Sequence, residues 1–129
     1  MSSERSEFQL EDASRIRAAE NQSIFRTINE RVGELNQGAT FSEVAEWVCE
    51  CADMSCTERI SMTVAEYKTL RSDGNTFAVL AGHEVPEVEQ VVRRTDRYLV
   101  VSKRPPGNEI ARRLDPRRGS SSGPPADRP

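Results

Sequence analysis

The chain has 129 residues, of which 36% are hydrophobic, 5% aromatic and 30% charged, so it is expected to form one domain with a thin core. Its net charge is −3 and no run of fifteen or more apolar residues occurs, which argues against a signal peptide or a membrane span. Three cysteines without a secretion signal point to the cytoplasm, where clustered thiols bind metal more often than they form disulfides.

Charge is unevenly spread. Residues 1–12 carry −3, residues 13–103 carry −3 and residues 104–129 carry +3. A mildly acidic body offers no broad nucleic-acid groove. Only the tail, with Arg104, Arg112, Arg113, Arg117 and Arg118, has the charge for phosphate contacts, and such tails are more often simple solvating extensions. Sixteen of the eighteen basic residues are Arg, a codon signature of a high-GC bacterium.

Taken in order, residues 1–12 read as a flexible acidic leader. A helix is expected over residues 13–36, where Ile24, Phe25, Ile28, Val32 and Leu35 recur at three- and four-residue steps as one apolar stripe. Arg26 and Glu30 form a same-face charge pair, and Gly38 is the stop. The nearly polar first turns suit fraying or association. Residues 43–51 alternate as a strand with Ala45, Trp47, Cys49 and Cys51 inward and Val44, Glu46, Val48 and Glu50 outward. A turn through residues 52–55 carries Cys56, and a second strand over 58–62 closes a hairpin with the cysteines at its tip. Thr63 and Glu66 spell a capping box, with Met62 and Tyr67 as its hydrophobic staple, opening a short helix to about Ser72. Residues 76–81 form a third strand. Residues 88–93 and 98–103 pair as an antiparallel hairpin, and Tyr98-Leu99-Val100-Val101, apolar on both faces, reads as a central strand. Beyond Lys103 the composition turns to Arg, Pro, Gly and Ser, which reads as a disordered tail over 104–129. The expected architecture is therefore α+β: a long N-terminal helix, one short capped helix and a small antiparallel sheet of about five strands.

Chemistry concentrates in Cys49, Cys51, Cys56 and the chain's single histidine, His83, which follows Gly82. Three sulfurs and one imidazole complete a tetrahedral Cys3His zinc site of the closed, structural kind. Residues two apart on a strand have Cα atoms about 6.6 Å apart, so Cys49 and Cys51 share one Zn2+ only if the strand bends beyond them. Gly82 gives the backbone freedom to aim His83. The competing readings are small buried core thiols, a disulfide of Cys56 with Cys49 or Cys51, and a solvent-facing histidine satisfied by Glu84. Asp53, Glu50 or water would replace His83 as fourth ligand, and the water case would open a catalytic position. No nucleophile–base order, phosphate loop or dinucleotide glycine pattern is present.

Several segments together resemble a family of small uncharacterised cytosolic proteins of high-GC bacteria. They are Glu20-Asn21-Gln22, Phe25-Arg26, Asn29-Glu30, Cys49-Glu50-Cys51, Cys56-Thr57-Glu58-Arg59-Ile60, Thr63, Glu66-Tyr67, Gly82-His83-Glu84, Pro86-Glu87-Val88-Glu89, Val91-Val92, Tyr98, Val100-Val101 and Lys103. The resemblance covers about two-thirds of the chain, with Met54-Ser55 standing where that family has a Pro-Asp-like turn. It implies that the Cys-Glu-Cys block and the Gly-His-Glu turn belong to one module, and it brings no activity with it. The function expected is a zinc-stabilised binding or regulatory module without catalysis, with a protein partner met through the helix stripe or a sheet edge. The alternative is a zinc-dependent hydrolase or thiol redox switch using the same cluster.

Overall fold

A computed structural model describes residues 3–36, 38 and 43–117, with side chains from residue 10 onward. Helix α1 (Ser3–Leu35) leads to strands β1 (Val44–Val48) and β2 (Arg59–Thr63), helix α2 (Val64–Leu70), strands β3 (Thr76–Val79), β4 (Glu89–Arg94) and β5 (Leu99–Lys103), and helix α3 (Gly107–Arg113). The expected α+β class holds, and the five strands divide into two antiparallel sheets: β1–β2, and β3–β5–β4 with β5 central.

Local chemistry explains the hairpins and α2. The β1–β2 pair sets Trp47 opposite Ile60 and Ala45 opposite Met62, so its apolar residues share one face. Thr63 accepts from the Glu66 amide while the Glu66 side chain accepts from the Thr63 amide, which is the capping box the sequence spells. Both staple residues, Met62 and Tyr67, are buried in the common core with Trp47, Phe77 and Val101. Trp47 and Tyr67 stack with ring centroids 4.2 Å apart. The two sheets meet just past β1, where the Cys49 amide donates to Glu58 O and the Glu50 amide donates to Ala78 O at 2.8 Å. That short segment, outside both strands, links the two sheets by one backbone bond to each.

Three expectations are corrected. Helix α1 already begins at Ser3, inside the stretch read as a flexible leader. Its docking face is polar: Gln22, Arg26 and Asn29 are buried, whereas Ile24, Ile28 and Leu35 of the apolar stripe are exposed and only Phe25 and Val32 turn inward. Arg26 and Glu30 accordingly take separate partners. Arg26 donates to Gly74 O and Ala111 O and lies over the Phe77 ring, while Glu30 accepts from Arg71 and Arg117.

Thirdly, part of the supposed tail is folded. α3 buries Ile110 and Ala111, and Arg15 of α1 donates to Glu87 O and Pro105 O, gripping the chain ahead of it. Gly107 sits so close to α1 that a Cβ there would lie 2.9 Å from Arg15 O. Arg71 pairs with Glu30 and Asp115, and Arg117 with Glu30. Two apolar residues are too few to register as a period, so an anchoring built on arginines left no apolar trace. Residues 118–129 lie outside the described ones.

Candidate metal centre

β1 runs out at Val48, and the next residues turn the predicted pair of inward thiols into the corner of a cluster. Cys49 and Cys51 are buried, and so is Glu50 between them, so the in-and-out alternation of β1 stops with the strand at Val48. Cys56 is brought back by a tight turn: its amide donates to Asp53 O at 3.0 Å, and Asp53 Oδ1 accepts from the Ser55 amide and hydroxyl. His83 arrives from the loop after β3, where its amide donates to Leu80 O and Gly82 adopts φ of +94°. That left-handed backbone is strained for any side-chain-bearing residue, although a Cβ would find open space there.

The ligand atoms of Cys49, Cys51, Cys56 and His83 all lie within 4.8 Å of one another. Nδ1 is the imidazole nitrogen that faces the sulfurs, 3.5 Å from Cys49 Sγ and 3.6 Å from Cys56 Sγ. A tetrahedral zinc with Zn–S of about 2.3 Å and Zn–N of about 2.05 Å has S···N edges of about 3.55 Å. The two S···N edges of the cluster match that value. The three cysteines are unpaired by disulfides.

Electrostatics describe what the site lacks on its own. Burial pushes the Cys49 thiol up, and the neighbouring Cys51 and Cys56 add to this against a hydrogen bond from the Leu80 amide. Cys51 is raised as well, by burial first. Three thiolates at this spacing repel one another, and a divalent cation reverses that balance. The Leu80 N–H, 3.3 Å from Cys49 Sγ, is oriented to support a thiolate.

The alternative fourth ligands are committed elsewhere. Asp53 is spent on its turn, and its carboxyl is held low by the Ser55 hydroxyl and amide. Glu50, expected to face outward, points into the core. Its carboxylate accepts from the Ala78 amide, Asn29 Nδ2 and the Tyr67 hydroxyl at 2.8–2.9 Å. Burial raises its pKa and those donors pull it back. A carboxylate sequestered between two cysteines thus ties the ligand strand to β3, α1 and α2.

Helix α1 grips the other side of that strand. Asn29 donates to Val48 O and accepts from Val48 N, Gln22 donates to Glu50 O, and Asn21 donates to Ala52 O. The carbonyls of residues 48, 50 and 52 alternate with Cys49 and Cys51, so three amide side chains hold the segment from which two thiols project. Gln22 Oε1 accepts from Lys103, which also pairs with Glu89 in full burial. Sequence reasoning missed these supports. The available signal was a polar row, Gln22, Arg26 and Asn29, at the same helical spacing used to find the apolar one.

Comparison with models of known protein families, with curated proteins and with solved structures finds no match to this chain.

Proposed function

We propose that the protein is a binding or regulatory module whose fold is held by a structural zinc ion on Cys49, Cys51, Cys56 and His83, and that it performs no catalysis itself. The observation that carries this reading is the converged Cys3His set with Nδ1 at tetrahedral-edge distance from two sulfurs. Four protein ligands fill a tetrahedron and leave no position for a reacting water. The ion would join the hairpin tip to the loop after β3. The proposal includes the setting read from the sequence, a small cytoplasmic protein of a high-GC bacterium acting through a protein partner. Among the described residues no helix is long and apolar enough to cross a membrane.

Elemental analysis of the purified full chain tests it. One zinc per chain is expected in the wild type, and a large loss in Cys51→Ser and in His83→Ala. Chelation should lower the melting temperature sharply, because structural zinc contributes on the order of 10 kcal/mol to small folds. Absence of stoichiometric zinc in the wild type would sink the reading. Full zinc content in His83→Ala would instead place a water at the fourth position and favour the hydrolase alternative.

A further inference from the structure

The polar docking of α1 leaves an apolar row on its solvent side that no other described part of the chain covers. Leu10 is 69% exposed, Ile24 50%, Ile28 44% and Leu35 70%. At about 100° per residue these four fall within an arc of about 40° on the helix. Four exposed charged residues accompany the row: Arg17 falls within the same arc, and Arg31, Glu20 and Glu34 lie progressively further round on one side of it. Read along the helix the signs run plus, minus, plus, minus. Read backwards they run minus, plus, minus, plus, so α1 is complementary to its own reversal.

We propose that this face is a dimerisation surface, occupied by α1 of a second copy lying antiparallel, with the two-fold axis between Ile24 and Ile28. This goes beyond the zinc reading and does not depend on it. In that register Ile24 of one copy lies level with Ile28 of the other. Glu20 lies level with Arg31 of the other copy to within one residue's rise, about 1.5 Å, and Arg17 lies equally level with Glu34. Both pairs form twice by symmetry, as an isologous interface requires.

Other arrangements of the same helices are worse for a stated reason. Moving the axis onto Ile24 brings Arg17 level with Arg31 of the other copy. A parallel pair sets Arg17 and Arg31 each beside its own counterpart. Like charges facing each other cost several kcal/mol at worst and select against those registers. Within one chain Arg31 already pairs with Glu34 at 2.9 Å, but both side chains are well exposed, so exchanging that contact for one across the interface costs little. In this register α1 overlaps its copy from Arg17 to Leu35, so Ile24, Ile28 and Leu35 of each chain make the apolar contact and Leu10 lies beyond it; so small an interface, below the roughly 1,200 Å² of a standard stable one, makes the dimer weak and concentration-dependent.

Sedimentation equilibrium on the zinc-loaded full chain over a concentration series tests this. The weight-average mass should rise from one chain towards two. Glu20→Arg and Arg31→Glu singly should each weaken association about tenfold or more, and the double reversal Glu20→Arg/Arg31→Glu should restore it to within about threefold. Ile28→Lys should leave a monomer at every concentration. All three positions are solvent-facing, and far-ultraviolet circular dichroism with melting curves checks that each variant folds. A wild type that stays monomeric throughout overturns the proposal and leaves the face to a different partner. A dimer indifferent to the single reversals, or not restored by the double, overturns the antiparallel register. A chain without zinc that still dimerises in this way would sink the metal reading alone.

Discussion

Asn29→Ala is the sharpest probe of how the metal segment is supported. The side chain makes three hydrogen bonds, each 2.9 Å long: Nδ2 to Val48 O, Nδ2 to Glu50 Oε2, and Oδ1 from Val48 N. Truncation strands the Val48 amide and carbonyl in a partly buried place and removes one of three donors to a fully buried carboxylate. Neutral hydrogen bonds are worth about 1 kcal/mol net and charged ones about 1.5–3, so the loss should come to about 3–5 kcal/mol. That is a large share of the roughly 5–15 kcal/mol stability of a small domain. Urea unfolding in buffered excess zinc would measure it, with Asn29→Asp as the discriminating control. Aspartate has the same shape, keeps the acceptor to Val48 N, and sets a second oxygen against Val48 O and Glu50. If the amide acts through donation, Asp should cost at least as much as Ala. A loss under about 1 kcal/mol for Ala, or a mild Asp variant beside a severe Ala one, would refute the reasoning and leave Asn29 as packing.

Metal uptake should release protons, because Cys49 and Cys51 are pushed up by burial in the metal-free site and must ionise to bind. Calorimetry in buffers of different ionisation enthalpy would count them, and affinity should fall steeply as pH is lowered below neutrality; zinc affinity flat with pH would contradict thiolate ligation. Asp115 supplies an acid-stability test. Burial raises its carboxyl, but the Arg117 amide and Arg71 outweigh this and hold it below the ordinary aspartate range. A depressed folded pKa gives stability that is full above the unfolded value and lost as pH falls through the folded one. Wild type should therefore lose stability from about pH 4 downward, and Asp115→Asn should be less stable at neutral pH with a shallower acid limb. Parallel acid profiles for the two proteins would remove Asp115 from that limb.

Much of this architecture was legible because period and cap carry it. Strand alternation set Ala45 and Trp47 inward, and Thr63 with Glu66 announced α2 without help from the rest of the chain. The cluster itself was readable from residue type alone, since four soft ligands in one chain have few other uses. What escaped has a common cause. Gln22, Arg26 and Asn29 are buried by hydrogen bonds to backbone carbonyls, and Glu50 by three donors from three different elements. Such contacts depend on tertiary geometry and leave no hydrophobic mark, so α1 was oriented by its isoleucines when its amides decide the docking. α3 was lost the same way, being held by Arg26 and Arg71 more than by Ile110.

The burial of Lys103 has a practical consequence. Its ammonium is closed in between Gln22 of α1 and Glu89 of β4, with no side-chain surface exposed. The only other lysine in the chain, Lys68, stands in solvent on α2. An amine-reactive reagent therefore meets one lysine in the folded protein and two once α1 lifts away from β5. The native chain carries its own chemical reporter of helix docking, readable by mass with no label engineered in.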